Sequence, residues 1–522
     1  MLGLRYRKAT ILLLYLLKTP NWAILCSFWY CLLPIVDFRP EFAGVWCMKR
    51  LFILVFGSLA LLRLSAQNVV RVLTFEEALM VAGDNNMVIQ AAESSVRAAG
   101  QERRAAIGLR APTIAVSGAY TWLGDDVAID LNGVKRGVVK GVEGLLPALD
   151  PTLGQTLQGV LAPLSSRNWE FVLQRRSLAS VGGTVTVPIF TGGRINVANR
   201  AARLGEKIAR NELCGVQGNL VTQLVERYFG VLLARHAVDV RRQVVEGLDQ
   251  HLADARALER NGVIATSERL YVEYKVAEAR RDLQKAQLTE RTAGEALSNT
   301  LGGGGAMPVT AMFVVEKPER AEFFTTMALE NNTLLRQAQL QEQLARENVR
   351  LQRADFFPQV AAMGAASFYN WQVSGLVPRW AVGVGASFKI FDGLNREFRY
   401  SAARHTLRSV ESLVAKAGSD VVLLVESLYA EMMNSLALLH SIEASMNFAQ
   451  EYLRSKRIAF AEGMTSSSEL VDAELNLAKA RIERLEAAYR FDTALARLLE
   501  ATGSSEEFVD YIKRDDARAI TF

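Results

Sequence analysis

Val421-Val422-Leu423-Leu424-Val425-Glu426-Ser427-Leu428-Tyr429-Ala430-Glu431-Met432-Met433-Asn434-Ser435-Leu436-Ala437-Leu438-Leu439 sits in the middle of a stretch, Gly393 to Gly463, that contains no proline. Within it Leu407, Val410, Val414, Ala417, Val421, Leu424, Leu428, Met432, Leu436 and Leu439 recur at gaps of three and four, close to a period of 3.5. That spacing draws one apolar stripe along a helix, and the stripe requires a neighbour over its whole length, as in a coiled coil. A second stretch, Gly192 to Gly262, has the same length and is also free of proline. Each opens on a phenylalanine-containing turn, Phe190-Thr191-Gly192-Gly193 or Phe391-Asp392-Gly393, and each ends on a glycine just ahead of a serine and threonine cluster. At about 1.5 Å per residue, each predicts a single helix roughly 100 Å long. The fold is organised around these two helices.

Spacing elsewhere shows that they belong to a duplication. Phe190 and Phe391, Gly262 and Gly463, Glu268 and Glu469, and Gly302 and Gly503 are each 201 residues apart, whereas Asn85 and Asn331, and Pro112 and Pro358, are 246 apart. Two offsets that are each constant mark two copies of one unit. The difference places a 45-residue excess in the first copy, between Pro112 and Phe190. The segment Gly124 to Leu178, rich in Gly, Pro, Asp and Ser, reads as a long loop. Ahead of it a helix starts at Leu73-Thr74-Phe75-Glu76-Glu77-Ala78-Leu79, with Thr74 and Glu77 spaced as a capping box, pauses at Asn85-Asn86 and stops at Pro112. Its counterpart runs from Asn331-Asn332 to Asp355-Phe356-Phe357-Pro358.

Flanking the excess, the period changes to two. Ile114, Val116, Gly118, Tyr120 and Trp122 alternate with small or polar residues, as do Val181, Gly183, Val185, Val187 and Ile189. In the second copy Val360 to Tyr369, and then Trp380, Val382, Val384, Ala386, Phe388 and Ile390, repeat the pattern. These predict four strands of about ten residues with aromatic ends, suited to crossing a membrane as a β-barrel wall. Four strands in lipid leave two unpaired edges, and membrane barrels need about eight strands to close, so the chain must oligomerise. Two copies would supply eight strands and three would supply twelve; the pattern does not choose.

The N-terminus fits an exported protein. Met48-Lys49-Arg50, the apolar run Leu51 to Leu62 and the exit Leu64-Ser65-Ala66 read as a signal peptide over 48–66, with residues 1–47 an upstream extension. Residues 1–66 carry eight Lys/Arg against Asp37 and Glu41, so the net charge of +5 resides in this leader and the body is close to neutral. A neutral body with no basic stripe excludes nucleic acid as the expected partner. Cys26, Cys31 and Cys47 lie in the leader and leave Cys214 alone in the body, so no intrachain disulfide is expected there. Cys47 follows Trp46 and precedes Met48, so no lipid anchor is expected either.

In their order, and twice over, Leu73-Thr74-Phe75-Glu76-Glu77-Ala78-Leu79 with Asn85-Asn86, Pro188-Ile189-Phe190-Thr191-Gly192-Gly193-Arg194, and Phe388-Lys389-Ile390-Phe391-Asp392-Gly393 resemble the TolC-like outer-membrane efflux protein family. The resemblance covers residues 72 to about 503. It implies a mainly α fold with a membrane β-barrel: a homotrimer with a 12-stranded barrel in outer-membrane lipid, continued by a periplasmic α-helical barrel. It also implies an exit duct that docks a periplasmic adaptor and an inner-membrane pump and passes drugs or other toxic compounds outward. The domains then read as a first repeat over 67–302 with the long loop 124–178, an equatorial connector over 303–330, a second repeat over 331–503 and an equatorial tail over 504–522.

The resemblance gives the hairpin tips a place. Gly262 and Gly463 reverse the chain, Ser466 and Glu469 are spaced as a capping box, and the tips carrying Gly262, Glu268, Gly463 and Ser466 match the end that adaptors grip. Glu469 and Asp472, one turn apart, match an acidic pair that lines the constricted entrance, where three copies would make a cation-favouring ring. Their first-copy counterparts are Glu268 and Tyr271. Phe460 stands where a gate tyrosine is common in the family, and Thr465 where an arginine can sit.

No cofactor or catalytic group is expected. His236, His251, His405 and His440 have no second ligand at i+4, and Gly302 to Gly305 lack the Lys-Ser/Thr of a phosphate loop. The competing reading is a periplasmic coiled-coil adaptor or structural spacer, which would share the hairpins but has no need of four alternating strands.

Overall fold

The computed structural model describes residues 71–521 apart from Leu149; the expected extension 1–47 and signal peptide 48–66 lie outside the described residues. The first copy begins with β1 (Arg71–Leu73), α1 (Phe75–Asn85) and α2 (Met87–Gly108). Thr74 and Glu77 form a complete capping box, and Asn86 caps α2 by accepting from the N–H groups of Val88 and Ile89. Next come β2 (Thr113–Trp122), β3 (Val127–Asp130), α3 (Asn132–Leu145), α4 (Pro151–Ser166), β4 (Glu170–Gln174) and β5 (Ser177–Phe190). Two 67-residue helices dominate the molecule: α5 (Arg194–Arg260), which returns as α6 (Thr266–Thr300), and its later counterpart. The connector holds β6 (Ala306–Pro308), β7 (Met312–Val315) and α7 (Ala321–Asn331). Then follow α8 (Thr333–Ala354), β8 (Gln359–Trp371), β9 (Trp380–Ser387), the second long helix α9 (Asn395–Ala461), its return α10 (Ser467–Thr502), α11 (Phe508–Ile512) and β10 (Ala517–Ile520).

Three features differ from the sequence reading. The segment 124–178 is not an irregular loop: β3 pairs antiparallel with β4, and α3 and α4 lie between them. Glycines at 133, 137, 141 and 144 give α3 the composition of a loop and a low helix propensity, although Val134, Val138, Val142 and Leu145 keep a helical spacing. The last strand, β9, ends at Ser387 rather than near Ile390. Arg396 explains the early end, since its guanidinium donates to the carbonyls of Lys389 (2.8 Å) and Ile390 (3.2 Å) and turns the chain toward α9. The α9 stripe also shifts by one residue at its centre, where Val425 is buried and Leu424 is exposed.

The four long strands form one antiparallel sheet in the order β2-β5-β8-β9, so β2 and β9 are its edges. Ile114 (75%), Val116 (70%), Val382 (78%) and Val384 (69%) are exposed on those edge strands. At the other end of the long helices' upper halves, the two copies share a core. Phe75 packs on Tyr228 (5.5 Å), Phe229 (5.7 Å) and Phe508 (5.2 Å between ring centroids), and Phe508 on Phe313. The buried Tyr228 hydroxyl donates to Leu73 O and accepts from the N–H groups of Val309 and Thr310, so one side chain ties α5 to β1 and the connector. The tail is fixed by β10 on β7 and by Arg518, which pairs with Glu443 and Glu316.

Asp492 is fully buried in this core; one oxygen accepts from Phe313 N–H (3.4 Å) and Oδ1 has no partner. Burial pushes its carboxyl well above the usual range, more than the Phe313 hydrogen bond lowers it. A raised folded-state pKa gives stability that is present below the unfolded pKa and is lost as pH rises through the folded one. Asp492→Asn keeps an acceptor for Phe313 and cannot ionise. It should raise the thermal midpoint at pH 8 and leave it nearly unchanged at pH 4, measured by circular dichroism in detergent.

Candidate functional site

The hairpin tips are built by left-handed glycines. Gly262 has φ of +71° and Gly463 of +68°, conformations that a side chain disfavours. Both tips close with the same pair of hydrogen bonds, Gly262 N to Glu259 O and Val263 N to Leu258 O in one, and Gly463 N to Phe460 O and Met464 N to Ala459 O in the other. Each return helix then starts from an extended residue, Ala265 or Ser466.

Ser466 caps α10 by accepting from Glu469 N–H (3.4 Å), but the expected capping box is half formed. The Glu469 carboxylate turns to Lys456 and the Thr465 hydroxyl (2.6 Å) instead of reaching back to Ser466 N–H. A charge-assisted bond to an ammonium outweighs one to a neutral amide. Lys456 first and Thr465 second hold the Glu469 carboxyl below its ordinary value, and Glu469 in turn raises Lys456. Asp472, exposed one turn on, lies beside Tyr271 of the first hairpin. Burial, then Asp472, pushes Tyr271 above its ordinary value. Glu469 therefore has its own cation, whereas among the described residues Asp472 has no ion-pair partner.

The other tip residues bridge the hairpins. Glu268 accepts from Ser467 N–H (3.4 Å), so a first-copy acid caps the second-copy helix. Phe460 is partly buried against Leu453, Leu470, Ala473 and Leu477, and its ring meets that of His251 edge-on at 4.6 Å. The structure thus brings Glu469, Asp472, Phe460, Glu268, Gly463 and Ser466 into one end of the molecule with Gly262.

Sequence reasoning missed Lys456, Arg457, Glu474 and the role of His251. Lys456 has a signal, since folding the chain about Gly463 sets it opposite Glu469. Arg457–Glu474 (3.0 Å) has one too: Arg256–Glu273 (3.4 Å) is the same ion pair 201 residues earlier. His251 carries no such mark, because its neighbours come from the other copy.

A family model described as outer membrane efflux protein matches residues 79–303 and 325–504. The chain belongs to the outer membrane efflux protein family. The chain is 23% identical over 367 residues to the cobalt-zinc-cadmium resistance protein CzcC of Cupriavidus metallidurans, a match covering 67% of this chain and 84% of that protein. To the alkaline protease secretion protein AprF of Pseudomonas aeruginosa it is 25% identical over 306 residues, covering 55% of this chain and 62% of AprF. Its fold resembles the crystallised channel CusC, with a TM-score of 0.66 at 16% identity over 82% of this chain and 91% of that one. This outer membrane efflux protein is therefore a mostly helical channel-family member with a large periplasmic part, and the duct reading displaces that of a coiled-coil spacer.

Proposed function

We propose that three copies of this efflux protein assemble into one exit duct that takes drugs or other toxic compounds from the periplasm to the exterior. The observation that carries this is the sheet order. With β2 and β9 at the edges, β9 of one copy can pair with β2 of the next, and three copies close a 12-stranded barrel. Exposed Val116 and Val384 then face lipid. The long helices support the same assembly. By length and composition α9 could cross a membrane, but Val421, Val425, Leu428, Met432, Leu436 and Leu439 bury one face inside the protomer. On its other side Leu413, Leu423 and Leu438 are exposed, and a neighbouring copy would cover them in a periplasmic α-helical barrel.

The partners are a periplasmic adaptor gripping the tips at Gly262, Glu268, Gly463 and Ser466, and an inner-membrane pump behind it. The entrance is the ring of Glu469 and Asp472 beside Phe460. Because Lys456 compensates Glu469, Asp472 carries most of the uncompensated charge. Asp472→Ala should therefore weaken multivalent-cation block of single-channel conductance about tenfold in half-blocking concentration, and Glu469→Ala by less, an order of magnitude set by the loss of roughly 1.4 kcal/mol of Coulomb attraction at a confined site. Unchanged block in both would remove the ring. For cargo, a gene deletion should raise susceptibility to drugs or bile salts; a change confined to divalent metals would move the reading toward metal efflux, the resistance for which CzcC is named.

A further inference from the structure

Above the tips, where the two hairpins meet, three polar side chains are buried near one another, and each keeps one polar atom without a hydrogen bond. His251 on α5 is 4% exposed, Ser467 at the start of α10 is 0% exposed, and Glu474, two turns further along α10, is 9% exposed. His251 Nε2, Ser467 Oγ and Glu474 Oε2 make no hydrogen bond. Buried polar atoms are almost always paired, so three orphans grouped around the His251 ring are a cost to the fold.

The second copy's version of a repeated ion pair has been turned inward to make this contact. Arg256–Glu273 in the first hairpin lies at the surface, whereas in the second Arg457 holds only Oε1 of Glu474. Oε2 lies against α5 at Gly247, where a Cβ would stand 3.1 Å from it. The counterpart of Gly247 in the other copy is Phe448, whose exposed ring stacks on Tyr452. His251, one turn below Gly247, braces Phe460, whose position flanks the proposed entrance.

We propose that His251 is a proton-responsive latch, whose neutral ring, packed on Phe460 beside Ser467 and Glu474, holds the first hairpin to the second at the tip and whose protonation releases it in acid. The inference rests on the tip being the gated entrance of the duct. The charged groups facing the ring are Glu474 from α10, Glu268 from α6, Asp254 on its own helix and Arg457 of α9 acting through Glu474. Burial, the largest influence, lowers His251 below its ordinary value, and the acids and the Ser467 backbone only partly offset it. An imidazole exposed to water in a parted tip keeps a value near 6.5. The parted tip thus binds the proton better, and lowering the pH through this interval shifts the population toward it.

The test is the conductance of the full-length trimer in planar bilayers at pH 7.5 and 5.5. Wild type should conduct a few-fold more at pH 5.5, His251→Gln should show no such rise, and His440→Gln, at an exposed histidine paired with Glu316 away from the tip, should retain it. His251→Phe, which keeps an aromatic edge on Phe460, should stay at the low level at both pH values. A wild type insensitive to pH, a His251→Gln channel that still opens in acid, or loss of the trimer in both His251 variants would overturn the latch. A protein that forms no channel at either pH would instead overturn the duct reading.

Discussion

Val116→Arg should all but abolish assembled protein in the outer membrane, while Ser117→Arg, one residue on, should leave it near the wild-type level. Val116 lies near the middle of β2, exposed at the sheet edge, and the alternation puts its side chain on the apolar face with Ile114, Tyr120 and Trp122. An arginine on the lipid face near the bilayer midplane costs about 2–4 kcal/mol, and a trimer carries it three times. Ser117 points to the opposite face, which in a closed barrel lines the water-filled lumen, where a guanidinium stays hydrated. Membrane fractionation followed by unheated gel electrophoresis reads both results. Equal tolerance of the two substitutions would mean that the sheet does not lie in lipid.

The different legibility of the elements has physical causes. The long helices and strands were readable because each buries or presents a continuous face, and a face imposes a period on the sequence. The tip glycines were readable because a left-handed turn admits little else, as Gly262 and Gly463 show. Helices α3 and α4 were not, since α3 spends four positions on glycine and neither helix contains a fully buried residue. At the tip, the sequence placed Glu469 and Asp472 together but could not reveal their unequal state. Lys456 reaches Glu469 across the turn, and Tyr271 of the other hairpin lies beside Asp472, an arrangement set by the packing of the hairpins. Burial of His251 is of the same kind. Its ring is enclosed by Phe460, Ser467 and Glu474, none of them within two hundred residues along the chain.

Leu423→Asp combined with Leu438→Asp should leave a chain that folds its hairpins but does not form a stable trimer. In α9 the buried residues Val421, Val425, Leu428, Met432, Leu436 and Leu439 face the protomer's own α7 and α10, and Leu423 and Leu438 point away from them. Leu423 is 64% exposed within one protomer, so an aspartate there meets water and costs the single chain little. If the neighbouring copy covers that side, each aspartate is instead an unpaired carboxylate in an apolar seam, worth several kcal/mol per site and repeated around the ring. Cross-linking and light scattering in detergent should report monomers with near wild-type helicity by circular dichroism. Paired single variants sharpen the outcome: Met432→Asp, on the inward side, should lose helicity and protein yield together, because it breaks the protomer's own core. A trimer that survives the double substitution would show that this side of α9 faces water in the duct, and that the seam between protomers runs along other helices.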